Sequence, residues 1–288
     1  MVSRVASALL LLLTVAACAS RPSDRELAPQ PTTKTPVASI LAVAEATRAE
    51  GRFAEAMQVY QEILVSDAKS VAAQYGVAEC LLALGKAVDA QPMFDALTHD
   101  AEFHALALQG EGLSLLALNR RAPAAAQLRE ATDADPKLWR AYNGLGLISD
   151  LKQQPQEAGD FYAKALVLNP ESAVIFNNLG YSRLLAGKPD EAIGHFKKAI
   201  ALEPGSETIQ NNLRLAIATK GNYAEATRAV PRERMPAILN NVGYIAMQKG
   251  DVAAAEGYLA RAMESSLSFN SVAAKNLEQL KAMKEGYP

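Results

Sequence analysis

The chain has 288 residues, half of them hydrophobic, 6% aromatic and 21% charged, with 29 basic against 31 acidic side chains, two cysteines and three histidines. A net charge of −2 without a basic excess argues against a nucleic-acid surface, two cysteines cannot build a disulfide scaffold, and three scattered histidines leave little material for zinc or histidine-based catalysis. High alanine with few aromatics predicts an all-α chain of small-residue helical repeats rather than two ordinary globular domains.

Arg4 precedes an apolar run from Val5 to Val15 that ends in small residues, the pattern of a signal peptide over residues 1–17. The run is shorter than the roughly 20 residues that span a bilayer. Val15-Ala16-Ala17-Cys18 resembles the bacterial lipobox, which implies cleavage before Cys18 and acylation of its thiol. An ordinary secretory cleavage site beside a chance cysteine is the alternative. Ala19, in place of aspartate after the cysteine, implies sorting to the outer membrane, where the lipid-anchored chain faces the periplasm. Acyl chains contribute about 0.8 kcal/mol per buried CH₂. The mature chain keeps 28 basic against 31 acidic side chains, net −3, because only Arg4 is lost. Residues 18–36 predict a lipidated cysteine and a flexible tether, the 18 residues 19–36, with four prolines and Leu27 as the one large apolar residue, reaching at most ~55 Å at about 3.1 Å per residue.

From residue 37 one 34-residue period organises the chain. In copy 173–206, Phe176, Leu179, Gly180, Gly187, Ala192, Phe196, Ala199 and Pro204 hold the fourth, seventh, eighth, fifteenth, twentieth, twenty-fourth, twenty-seventh and thirty-second positions. Copy 139–172 repeats the register with Tyr142, Leu145, Gly146, Ala158, Tyr162, Ala165 and Pro170. Copies 37–70, 71–104 and 105–138 keep Ala44, Gly51, Ala56 and Tyr60, then Ala78, Gly85, Ala90 and Phe94, then Gly112, Ala124, Ala131 and Pro136. The pattern resembles the tetratricopeptide repeat (TPR). It implies a superhelical solenoid of about seven helix-turn-helix repeats, each a pair of antiparallel helices closed by proline.

Register breaks once. Copy six starts at 207 with Leu213, Gly221 and Ala226, loses its ending in Val230-Pro-Arg-Glu-Arg-Met235, and gives way at 236, five residues early. A bend or twist near 228–236 is expected, with a long loop of no functional consequence as the equal alternative. Copy 236–269 restores the pattern with Val242, Gly243, Gly250, Ala255, Leu259 and Ala262, and a capping helix follows within 270–288, over Ser271 to Lys284.

Catalytic chemistry is hard to assemble from these residues. His99 and His104 lie five apart, where helical metal ligands would sit three or four apart, and no cysteine is near, so neither a metal nor a cofactor is expected. His195, before Phe196, reads as an exposed helical residue. Cys80, inside Ala-Glu-Cys-Leu-Leu-Ala-Leu, reads as a small buried apolar group and a free thiol. Lys197 and Lys198 read as solvated surface.

Asparagine is the residue to watch. In this repeat class the first helices line a concave groove. Asparagine holds the fifth position in four consecutive copies, as Asn143, Asn177, Asn211 and Asn240, and the sixth in three, as Asn178, Asn212 and Asn241. It is a poor helix former, and its amide offers a donor and an acceptor that suit an extended peptide backbone of any sequence. Such a run resembles the ladder with which some superhelical repeat proteins hold peptide main chain. The alternatives are amides bonded across adjacent helices, or a simple consensus in Asn-Asn-Leu-Gly. Further groove candidates are Tyr181, Tyr244, Arg140, Leu147, Arg183 and Arg214.

From Leu138 to about Arg228 the sequence looks like the TadD-type lipoprotein of Flp pilus (tight adherence) assembly. The echoes are Trp139-Arg-Ala-Tyr-Asn-Gly-Leu-Gly, Phe176-Asn-Asn-Leu-Gly, Gln210-Asn-Asn-Leu-Arg-Leu-Ala and Gly221-Asn-Tyr-Ala-Glu-Ala. Arginine replaces the motif glycine where the repeat shortens. The resemblance implies a non-enzymatic scaffold that binds a protein or peptide partner, a pilus secretin or another assembly component, at the membrane and away from nucleic acid. A general envelope adaptor, such as a pilotin of another system or a partner of peptidoglycan enzymes, is the second reading, and an enzyme subunit the third.

Overall fold

A computed structural model describes residues 37–265 and 270–285, so Cys18, the signal segment, the tether and the last three residues lie outside the described part. Every regular element among the described residues is helical. They divide between Pro170 and Glu171 into two compact units.

The unit of residues 37–170 holds four helix pairs: α1 (Val37–Ala49) with α2 (Phe53–Ser66), α3 (Val71–Ala83) with α4 (Ala87–Leu97), α5 (His104–Ala117) with α6 (Arg121–Ala134), and α7 (Trp139–Leu151) with α8 (Pro155–Leu168). The unit from 171 onward holds α9 (Ala173–Leu185) with α10 (Pro189–Leu202), α11 (Glu207–Thr219) with α12 (Tyr223–Ala226), α13 (Met235–Gln248) with α14 (Val252–Ser265), and the closing α15 (Asn270–Lys284). Each pair is one copy of the sequence period, and α12 is a single turn.

Side-chain size at two fixed positions sets how closely the helices of a pair approach. The twentieth position is alanine in all seven copies, from Ala56 to Ala255, and each is fully buried. The twenty-fourth carries Tyr60, Phe94, Leu128, Tyr162, Phe196 and Leu259, also buried. In four copies their bulk fits because the facing eighth position is glycine, at Gly112, Gly146, Gly180 and Gly243: a Cβ on Gly146 or Gly180 would lie 2.7 Å from the Tyr162 ring or 2.8 Å from the Phe196 ring. Burying each such side chain contributes roughly 1.5–3 kcal/mol.

The turn between the two helices of a pair is equally fixed. The fifteenth position adopts a left-handed backbone in every copy, from Gly51 at φ 78° to Gly250 at φ 77°. Asn119 at 58° and Gln153 at 62° hold it without glycine, against the Cβ clash that makes this region unfavourable for other residues.

Within each unit consecutive first helices touch, α1 with α3, α3 with α5, α5 with α7, and α9 with α11, α11 with α13, α13 with α15. Consecutive second helices make no comparable contact. The first helices therefore form the inner wall of each unit, and it is on that wall that the polar groups collect.

Candidate functional site: the first-helix walls

On the wall of residues 171–285 the asparagines are partly spent on each other. Asn212 on α11 donates from Nδ2 to Oδ1 of Asn177 on α9 at 2.9 Å. Asn276 on α15 donates to Oδ1 of Asn240 on α13, also at 2.9 Å, and Asn240 is 7% exposed. Asn177 also offers its Nδ2 to Asn178 at 3.4 Å. The first of these bonds joins a fifth position to the sixth of the next copy, the second joins a fifth position to the closing helix α15, and both stitch adjacent helices of the wall. Asn211 and Asn241 are exposed, whereas Asn143, Asn178, Tyr181 and Tyr244 are half-buried. Leu147 packs against the apolar core of its unit.

The arginine candidates have separate geometries. Arg183 on α9 lies 3.5 Å from Glu191 at the start of α10. Arg214 on α11 stands at the eighth position, where full-length copies have glycine or alanine. Its Nη1 donates to the carbonyls of Ala226 at 3.0 Å and Arg228 at 2.8 Å. A guanidinium thus fills the space left by a second helix of one turn and caps its end. Beside that turn lies an open hollow of about 680 Å³ lined by Gly221 to Glu225, Ala254 and Tyr258.

On the wall of residues 37–170, Arg140 on α7 reaches past α5 to Glu79 on α3, with Nη1 2.6 Å from Oε2. Arg48 on α1 approaches the same oxygen at 3.9 Å and donates from Nε to the Tyr60 hydroxyl at 3.4 Å. Glu79 is 6% exposed, while both arginine side chains keep a third of their surface. Its second oxygen, Oε1, is buried without a hydrogen bond. Burial and the neighbouring Glu79 charge raise the Tyr75 phenol above its ordinary value. Gln109 on α5 accepts from the Ala141 amide at 3.1 Å, tying the start of α7 to the same wall.

Only Arg140 of this group stands out in the sequence. Arg48 and Glu79 occupy the twelfth and ninth positions of their copies. The ninth already marks Tyr181 and Tyr244, so a scan of that position for charge would have found Glu79. A second buried acid, Glu111 on α5, sits at the seventh position, elsewhere Val77, Leu145, Leu179, Leu213 and Val242. It is 5% exposed, accepts from Gln91 Nε2 at 3.0 Å, and burial pushes its carboxyl above the usual range.

The histidines are placed as follows. His104 contacts the Thr98 carbonyl through Nδ1 at 2.6 Å and His99 is exposed. His195, expected on the surface, is half-buried because its ring stacks on Phe176, with centroids 6.3 Å apart. No cluster of three or more possible metal-ligating side chains occurs among the described residues. Nor is any described helix long and apolar enough to cross a membrane. Cys80 is a buried free thiol whose pKa burial raises to about 11.

Stacked two-helix repeats with glycine or alanine at the eighth and twentieth positions define an all-α solenoid of the tetratricopeptide-repeat class. Residues 48–111 and 110–173 each match a tetratricopeptide repeat family. A thermophilic TPR protein of Thermus thermophilus is similar in structure, with TM-score 0.55 and 21% identity over 63% of this chain and 98% of that one. A TPR protein from Parabacteroides merdae aligns with TM-score 0.52 and 14% identity over 85% of this chain and 98% of its own. A chain of the APC/C Cut9–Hcn1 hetero-tetramer gives TM-score 0.59 and 16% identity over 84% of this chain and 49% of that one. No curated protein matches the sequence. At these identities the likeness is one of fold, and the fold is a scaffold suited to protein–protein interaction.

Proposed function

We propose that the chain is a non-enzymatic interaction scaffold, anchored by a lipid on Cys18 to the outer membrane and facing the periplasm. A first-helix wall holds an extended segment of a pilus or secretion component in its concave groove, with Flp (tight adherence) pilus assembly as the system. The observation that carries the binding part of this reading is a wall of touching first helices on which amide and guanidinium groups stand beside one another. Amides offering donor and acceptor together match peptide main chain. The resemblance over residues 138–228 and the lipobox-like residues before Cys18 support the system and the anchor.

Replacing Cys18 by serine tests both parts. The expected outcome is release from the membrane fraction and loss of pili; normal piliation in that strain overturns the pilus assignment. A broader envelope adaptor is favoured by the repeat copies that extend on both sides of the resembling stretch. Pull-down from solubilised envelopes separates the two, since a secretin supports the first and cell-wall synthases or hydrolases the second.

A further inference from the structure

The Arg48–Glu79–Arg140 group has a chemistry that neither the repeat frame nor the asparagines require. Its three members come from the first, second and fourth copies, so no local rule of the period places them together. A buried ion pair is poor evidence for added stability, because desolvation of both charges offsets much of their attraction. Here the anion is sunk in the wall and the cations are not: Glu79 is 6% exposed, and each arginine side chain 33%. The group carries one net positive charge. A guanidinium has five N–H donors and no acceptor, and Arg140 gives one N–H to Glu79. What the wall holds at this point is therefore two guanidiniums with N–H groups beyond the one given to Glu79, on side chains that each keep part of their surface in water, pre-positioned by a carboxylate behind them.

We propose that Arg48 and Arg140 form an anion-reading subsite on the first-helix wall of residues 37–170, which takes the carboxylate of an acidic side chain on a partner's extended segment. Glu79 is its positioning residue. A net charge of +1 matches a monoanionic carboxylate better than a phosphate, which carries about −1.5 to −2. The planar guanidinium fork fits two carboxylate oxygens at once. The inference rests on the scaffold reading for the existence of a partner, but its test needs none.

Two probes suffice, acetyl-Gly-Asp-Gly-amide and its asparagine counterpart, titrated into the full chain while the arginine Nε–Hε resonances are followed by NMR. The aspartate peptide should shift Arg48 and Arg140 saturably and leave Arg52, an exposed arginine paired with Glu50 and Glu55, unmoved. The asparagine peptide should shift none of them. Arg48→Gln, which leaves the Arg140–Glu79 pair in place, should weaken binding about tenfold, the scale of one charge-assisted hydrogen bond. Glu79→Gln gives the sharper sign, because it raises the net charge of the group yet should weaken the aspartate peptide. Tighter binding in that variant, an equal response to the asparagine peptide, or no saturable shift in the native chain each overturns the proposal. A negative result here leaves the Cys18 and pull-down tests standing, since they read other residues.

Discussion

The two units are built on one frame and finished with different chemistry. In residues 37–170 the sixth position is glycine in three consecutive copies, Gly76, Gly110 and Gly144. There the twenty-fourth side chain of the preceding copy presses onto the helix: Tyr60 on Gly76, Phe94 on Gly110, Leu128 on Gly144. In residues 171–285 the same position is Asn178, Asn212 and Asn241, and the first helices are joined by side-chain amides instead. One unit seals its wall with rings and a leucine against bare backbone and then spans it with an ion pair. The other seals it with neutral hydrogen bonds and can spare most of a second helix. Packing specified by shape leaves little freedom, whereas packing specified by amides tolerates a truncated repeat and lets Arg214 stand at a position that is otherwise glycine or alanine.

The largest expected effect comes from the ion pair. Arg140→Gln leaves the Glu79 carboxylate buried with its nearest remaining cation, Arg48, 3.9 Å away and should cost about 3 kcal/mol in urea unfolding. Arg183→Gln in the other unit, whose partner Glu191 is half exposed, should cost less than about 1 kcal/mol. Equal losses would break the contrast.

Exchanging the sixth-position residues tests it next. Gly110→Asn drives a side chain into the Phe94 ring and should cost about 2–3 kcal/mol. The reverse change, Asn178→Gly, should cost less, about 1 kcal/mol, a few tenths from helix propensity and the remainder from the lost Asn177–Asn178 hydrogen bond.

Glu111→Leu restores the apolar seventh position and should stabilise the chain by about 1–2 kcal/mol at neutral pH. The native carboxyl is raised by burial, so the folded chain binds its proton more tightly than the unfolded one. Glu111 therefore stabilises most below the ordinary carboxylate value and loses that contribution as pH rises through the folded pKa. The advantage of leucine should shrink toward about pH 4. A gain that is flat with pH would show that repacking, not ionisation, produces it.

The smallest pair concerns the turns. Gln153→Gly should add about 1 kcal/mol by relieving a left-handed glutamine, and Gly187→Ala in the other unit should remove about as much. Thermal melts of both variants read this directly.

The frame was legible because each of its rules lies within one period. Alanine at the twentieth position, a bulky residue at the twenty-fourth and glycine at the fifteenth are local requirements of two helices and a turn, and repetition multiplies the signal. What escaped depends on which copies approach one another. Asn177 and Asn212 both stood out as residues, but their bond joins a fifth position to a sixth, which depends on how one helix is offset against the next. Arg140 was visible as a wall residue, yet its partner lies 61 positions away across an intervening helix. Glu111 went unseen because the same residue type on an exposed face would mean nothing; only its burial makes it informative. His195 was misplaced for the converse reason, since Phe176 covers it from another helix.

Cys80 gives these differences a clock. Its sulfur is shut inside the second copy, next in sequence to Glu79, and holds its proton up to about pH 11, so a thiol reagent can reach it only when that copy opens. If Cys18 carries lipid, Cys80 is the sole thiol left in the chain, and the rate at which it is labelled times the opening of one repeat within the intact array. Arg140→Gln should quicken that rate, whereas Arg183→Gln, in the other unit, should leave it unchanged.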